Sequence, residues 1–160
     1  MSPSTVRLRL VVGVIALVVG ALTLTGCTPT VALTVAPDGI NPTCAEVIVR
    51  LPETIGDLPL RQTNAQGTGA WGSPATVTLR CGVPVPGPTT ELCSTADGVD
   101  WIADDSKAPS YRFTTYGRNP AIEVIVNQDE KLGAAIVTGR AALEAVAAAV
   151  KQIPATKSCL

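Results

Sequence analysis

Chemistry in this 160-residue sequence would have to rest on five cysteines, two tryptophans and a scatter of aspartates and arginines, because there is no histidine. The most distinctive of these is Cys27, which closes the box Leu24-Thr25-Gly26-Cys27. It follows Arg7, Arg9 and a run of 15 uncharged, mostly apolar residues, Leu10–Leu24. A basic start, a short apolar run, small residues and then cysteine form the pattern of a bacterial lipoprotein signal. The run is shorter than the roughly 18–20 residues a permanent membrane span needs. A thiol at this point can take a diacylglycerol thioether, and cleavage before it makes Cys27 the new N-terminus. The competing readings are a signal anchor, or a chance cysteine after an ordinary cleavage site. The expectation is a signal peptide over 1–26 and lipid attachment at Cys27. The domain would then be anchored to the extracytoplasmic face of the cell membrane without spanning it.

With Cys27 carrying lipid, Cys44, Cys81, Cys93 and Cys159 remain. An even number outside the cell predicts two disulfide bonds, and three connectivities are open. Cys81–Cys93, closing the proline-rich stretch 82–92, with Cys44–Cys159, tying the end of the domain to its beginning, is the favoured pairing. A zinc site competes poorly, since there is neither a Cys-x-x-Cys pair nor a histidine.

Asp97, Asp100, Asp104 and Asp105 surround Trp101, and two carboxylates beside an aromatic could serve glycoside hydrolysis. The spacing argues against it. Asp97-Gly98 is a turn signal, and alternation along a strand sends Asp100 and Trp101 to opposite faces. The same spacing does not fit a calcium loop. Trp71, Arg80, Asp100, Trp101, Tyr116 and Arg118 instead form a candidate binding surface, because arginine beside an aromatic suits carboxylate, phosphate or sugar groups. The plainer alternative is a set of structural tryptophans, with Arg80 or Arg118 paired to Asp100 between strands.

Absent residue types narrow the classes further. Without histidine, Ser-His-Asp and Cys-His mechanisms are excluded. No Walker lysine follows a glycine-rich loop, and no Ser-x-x-Lys occurs. Loss of 1–26 removes Arg7 and Arg9 and no acid, taking 12 basic side chains to ten against 13 acidic ones, a net charge of −3. That argues against a basic nucleic-acid-binding stripe and a polybasic lipid patch. No cofactor and no metal are expected, and the expected partners are the membrane, through lipid on Cys27, and an envelope protein or cell-wall ligand.

These residues need elements to hold them. Residues 28–42, with three prolines, predict an extended tether, although Val31, Leu33 and Val35 alternate as an edge strand would. The domain is expected to span 43–160. Thr43-x-x-Glu46 matches a capping box, and Val47, Ile48, Leu51, Ile55 and Leu58 follow helical spacing, interrupted at Pro52. Residues 62–70 read as a loop. Strands are predicted over 75–81, 99–103, 111–116 and 121–126, with short connections that imply an antiparallel sheet. From Asn127 a last helix should carry one stripe, Leu132, Ile136, Gly139, Leu143, Val146, Val150 and Ile153, ending at Pro154 and packing on the sheet. The expected fold is α+β: a four-stranded antiparallel sheet with a short N-terminal helical segment and a long C-terminal helix on one face.

Several middle-third motifs occur together: Trp71-Gly72-x-Pro74, Leu79-Arg80-Cys81-Gly82-Val83, Gly87-Pro88-Thr89-Thr90, Asp97-Gly98-Val99-Asp100-Trp101 and Thr115-Tyr116-Gly117-Arg118-x-Pro120. With Cys44, Leu51-Pro52, Cys93 and Cys159, this combination resembles a family of small actinobacterial lipoproteins and secreted proteins defined only as a domain of unknown function. The resemblance covers about residues 43–159. It implies an envelope location and paired cysteines, and no catalytic or binding residue. The expected function is a membrane-anchored envelope lipoprotein acting as a non-enzymatic binding or interaction module. A small-ligand or cell-wall-fragment binder and an acid-based enzyme are the alternatives.

Overall fold

The structure is a computed structural model that describes residues 28–132 and 137–159. The expected signal, Cys27 and Ile136 of the expected helical stripe lie outside the described residues. A helix α1 (Pro42–Ile48) precedes four strands, β1 (Thr54–Ile55), β2 (Leu58–Arg61), β3 (Thr68–Trp71) and β4 (Val77–Val83). Four more follow, β5 (Cys93–Ala96), β6 (Val99–Asp104), β7 (Ser110–Thr115) and β8 (Ala121–Asn127). A 3-10 turn at Glu130–Leu132 and a helix α2 (Gly139–Val150) complete the order. The strands form one eight-stranded sheet in the order β1-β2-β3-β4-β8-β7-β6-β5, antiparallel at every pairing. It is two four-stranded meanders whose last strands, β4 and β8, pair at the centre.

The expected four-stranded sheet with a long C-terminal helix is therefore wrong on both counts. The four predicted strands are β4, β6, β7 and β8, those long enough to show alternation. The missed strands are short. The apolar spacing over 51–58 is a hairpin rather than helix, with Ile55 paired to Leu58 around Gly56-Asp57 and Gly56 at φ +55°. Glycine first in a two-residue turn is a hairpin signal that outweighs helical periodicity. β3, expected as loop, is buried at all four positions, so it shows no alternation. α1 starts from Asn41-Pro42 rather than the Thr43–Glu46 box: Asn41 Oδ1 accepts from the Thr43 N–H at 3.0 Å, and Pro42 takes the first turn. The last helix does not begin at Asn127, which ends β8 and pairs with Ser110 of β7. α2 spans 12 residues and is capped by Thr138, whose Oγ1 accepts from the Ala141 N–H at 3.2 Å.

Alternation sets the two faces of the sheet. Val77, Leu79 and Cys81 of β4 lie opposite Val126, Val124 and Ile122 of β8, forming the inward rows of the main core. Ala142, Leu143, Val146, Ala147 and Val150 of α2 and Cys44 and Val47 of α1 belong to the same core. Ala36 packs with Val83 and Ala121 in a separate cluster on the other face.

The expected tether over 28–42 is a docked segment. The Val31 N–H donates to the Gln62 carbonyl at 2.8 Å, and the Leu33 N–H to Asn64 Oδ1 at 2.7 Å. Val31 and Thr63 form a parallel bridge, so the edge-strand alternative is nearer the observed arrangement. Further along, the Asp38 N–H donates to the Gly82 carbonyl at 2.9 Å. Gly82, at φ +90°, is the bulge of β4, and a Cβ there would collide with the Asp38 carbonyl.

Both expected disulfide pairings are also overturned. The bonds are Cys44–Cys81, joining α1 to β4, and Cys93–Cys159, joining β5 to the C-terminal tail. The reason is the sheet order. β4 and β5 are four strand spacings apart, about 19 Å at ~4.8 Å each, and Cys81 faces inward while the register sets Cys93 outward. Cysteines pair only when their Cα atoms are within about 7 Å. The stretch 84–92 is a crossover between distant strands, and Pro84, Pro86 and Pro88 suit an extended path rather than a tight loop.

Candidate binding surface

The six residues proposed as a binding surface do not converge. Trp71 and Trp101 are fully buried, each 0% exposed, among the inward side chains of the core. Burying an indole contributes about 4–6 kcal/mol at the usual area coefficient, so packing outweighs display. Trp71 Nε1 donates to the Pro52 carbonyl at 2.9 Å, holding the chain just after α1 against β3. Neither ring is available to a ligand, and a pocket built on them is ruled out.

Arg118 is buried as well. Its Nη1 donates to the Ile153 carbonyl just past α2, where a cation also complements the helix dipole. Burial lowers its pKa, and the Asp100 carboxylate opposes that shift. Asp100 is itself engaged. Its Oδ1 accepts from Thr95 Oγ1 at 2.6 Å and its Oδ2 from the Cys159 N–H at 2.8 Å. Arg118 and Asp100 thus fasten the tail around Ile153–Cys159 to the sheet. The Thr156 N–H donates to the Gly117 carbonyl at 2.7 Å beside them. The other acids are placed individually. Asp97 pairs with Lys151 at 2.8 Å, and Asp104 Oδ1 accepts from the Ser106 N–H at 2.9 Å. The Ser106 hydroxyl, and with it this N–H, lowers the Asp104 pKa. Asp97, Asp100 and Asp104 are thus each held by a different partner.

Arg80 points outward from β4, and its partner is Glu123 rather than Asp100. Glu123 Oε1 accepts from Arg80 Nε at 2.9 Å and lies 2.8 Å from Nη2. Arg112 Nε approaches Glu123 Oε2 at 3.1 Å without the alignment of a hydrogen bond. Arg112 is also the register partner of Asp104. The outer face therefore carries a ladder of alternating sign across four strands: Arg80, Glu123, Arg112, Asp104. Glu123 is buried between two half-exposed guanidiniums, which satisfy it and leave the ladder neutral. Arg112 and Glu123 were legible in principle, since the alternation that turns Arg80 outward on β4 turns them outward on β7 and β8.

Tyr116 borders a depression of about 360 Å³ lined also by Thr89, Thr90, Glu91 and the Cys93–Cys159 bridge. Its lining mixes the hydroxyls of Thr89, Thr90, Tyr116 and Ser158 and the Glu91 carboxylate with Leu92 and the disulfide. The segment Gly67-Thr68-Gly69-Ala70-Trp71-Gly72 has the glycine spacing of a dinucleotide-binding turn. It lies along β3 and leads to antiparallel β4, with no helix N-terminus to receive a pyrophosphate. Among the described residues, no three of His, Cys, Asp or Glu come together to hold a metal. No helix among them is long and apolar enough to cross a membrane.

Fold and surface together define a disulfide-stapled domain, an eight-stranded antiparallel sheet backed by two short helices, whose polar clusters fasten structure. The chain belongs to the family described as "Protein of unknown function (DUF3515)", whose family model matches residues 5–158. No curated protein and no solved structure matches it.

Proposed function

We propose that this chain is a membrane-anchored cell-envelope lipoprotein of the actinobacterial kind, held on the extracytoplasmic face by lipid on Cys27. Its domain serves as a non-enzymatic binding or interaction module. The observation that carries this reading is the order Arg7, Arg9, Leu10–Leu24, Gly26-Cys27 in the sequence. The two disulfides support it. They pair four of five cysteines, leaving Cys27 as the odd thiol, and disulfides persist in oxidising compartments. The non-enzymatic part rests on the absence of histidine and on the engagement of Asp97, Asp100 and Asp104 in bonds within the fold. The test compares wild type with Cys27→Ser in a host with lipoprotein processing. The wild type is expected in the detergent-soluble membrane fraction and Cys27→Ser outside it. Equal membrane association of the two would refute the anchor.

A further inference from the structure

Most large apolar side chains of the domain are buried; of the exposed ones, Val85 and Leu92 lie on the crossover before β5 and Leu132 ends the 3-10 turn, whereas Val35, Ile40, Val49 and Leu60 cluster, Ile40 and Val49 each 76% exposed. They share one side of the molecule. Ile40 lines one depression with Ile48 and Val49 and a second with Leu33 and Val35. Ile48 also lines a third, with Leu51, Leu60 and Arg61. Single exposed apolar residues are ordinary, whereas a continuous band of them marks a contact surface.

The band ends where the chain leaves toward Cys27. Arg61 Nη2 donates to the Pro29 carbonyl at 2.7 Å, and Arg61 Nη1 to the Gly72 carbonyl at 2.8 Å. Only Thr28 separates Pro29 from Cys27, so the Cys27 Cα lies within about 8 Å of the Pro29 Cα. Charge near the band is balanced in sign: Arg50 bonds Glu46 at 2.5 Å, while Arg61 keeps its charge as it donates to the two carbonyls and Asp38 keeps its own as it accepts from Asn41 Nδ2 at 2.9 Å. The surface therefore offers aliphatic carbon and no free basic cluster.

We propose that this band, Val35-Ile40-Val49-Leu60, rests on the acyl–headgroup boundary of the bilayer that holds the Cys27 lipid, so that the domain lies on the membrane. The inference rests on the reading of Cys27 as the lipidated residue. A lipid only a few residues away keeps the band beside the bilayer at high effective concentration, so a weak apolar contact suffices. Anionic lipid adds nothing, because Arg50 and Arg61 are matched in number by Glu46 and Asp38 and form no basic cluster.

The test uses the full chain, purified with its own lipid, in phosphatidylcholine vesicles carrying brominated acyl chains. Trp71 and Trp101 are buried and supply a constant background. Val49→Trp adds a reporter in the band. Leu92→Trp adds one at an exposed site next to β5, at the opposite edge of the sheet. The expected result is a blue shift and bromine quenching for Val49→Trp alone, unchanged by anionic lipid and reversed by adding Ile40→Asp. Floating protein with equal, unquenched emission at both positions overturns the docked orientation while leaving the anchor intact. Protein that does not float, with an unmodified Cys27 by mass, removes the anchor and the orientation together.

Discussion

Arg61 in β2 holds the carbonyl of Pro29 at 2.7 Å, tying the first described residues of the chain to the edge of the sheet. The consequence is positional. A segment whose composition reads as a free tether is a strap along the domain, and whatever is attached at Cys27 stays near β2.

Removing this tie should loosen the strap and leave the sheet. Arg61→Ala is expected to cost about 1–3 kcal/mol, because it removes both hydrogen bonds of a charged donor, to the Pro29 and Gly72 carbonyls. Amide exchange should speed up at Val31 and Leu33, whose N–H groups bond Gln62 and Asn64, with no change in β4 and β8. Unchanged exchange at Val31 would show that Arg61 is not what holds the segment.

Peptide mapping under non-reducing conditions should return Cys44 with Cys81 and Cys93 with Cys159. The two bonds should differ in reactivity. Cys44 and Cys81 are both fully buried, whereas Cys93 and Cys159 are partly exposed and border the depression beside Tyr116. Mild thiol should therefore open Cys93–Cys159 first and free the tail. In the loop-entropy description each bond stabilises by about 4 kcal/mol, which Cys159→Ala or Cys44→Ala would forfeit in chemical denaturation.

The charge ladder gives a third outcome. Glu123→Ala is expected to lower stability by about 1–2 kcal/mol, since Arg80 and Arg112 lose their partner but are exposed enough to regain water. Combined with Arg80→Ala in a double-mutant cycle, the coupling should be about 1 kcal/mol. A coupling near zero would mean that the pair contributes nothing beyond its separate solvation.

Asp104 should titrate below the ordinary value of 3.8, because the Ser106 hydroxyl and N–H favour its charged form. Ser106→Ala should bring the titration back toward 3.8 when followed by carboxyl chemical shift. A pKa depressed by folding stabilises the folded state above the unfolded value, and that contribution disappears as pH falls through the folded value. The carboxylate is exposed, so the titration rather than global stability is the readout. An Asp104 pKa at or above 3.8 in the wild type would contradict the contact.

Alternation made β4, β6, β7 and β8 legible, and Asp97-Gly98 made the turn into β6 legible, with both residues at positive φ. It also separated Asp100 from Trp101. The remaining strands were hidden for physical reasons. β1 and β2 are too short to show a period, and β3 is buried at every position. β5 follows a proline-rich stretch whose composition announces an extended path and not its destination. Read as a local loop, 82–92 makes Cys81 and Cys93 neighbours, and only the sheet order separates them. The binding surface failed in a similar way. Residue type marked Trp71, Trp101 and Arg118, but burial decides whether such side chains meet a ligand or a core, and burial follows from strand neighbours that one sequence does not list.

The central claim concerns the one cysteine outside the two bonds. Intact-mass and N-terminal peptide analysis of the protein taken from membranes of a lipoprotein-processing bacterium tests it most directly. The account predicts a chain that begins at Cys27 and carries a diacylglyceryl thioether. A chain that keeps residues 1–26, or one whose Cys27 is an unmodified thiol, contradicts it.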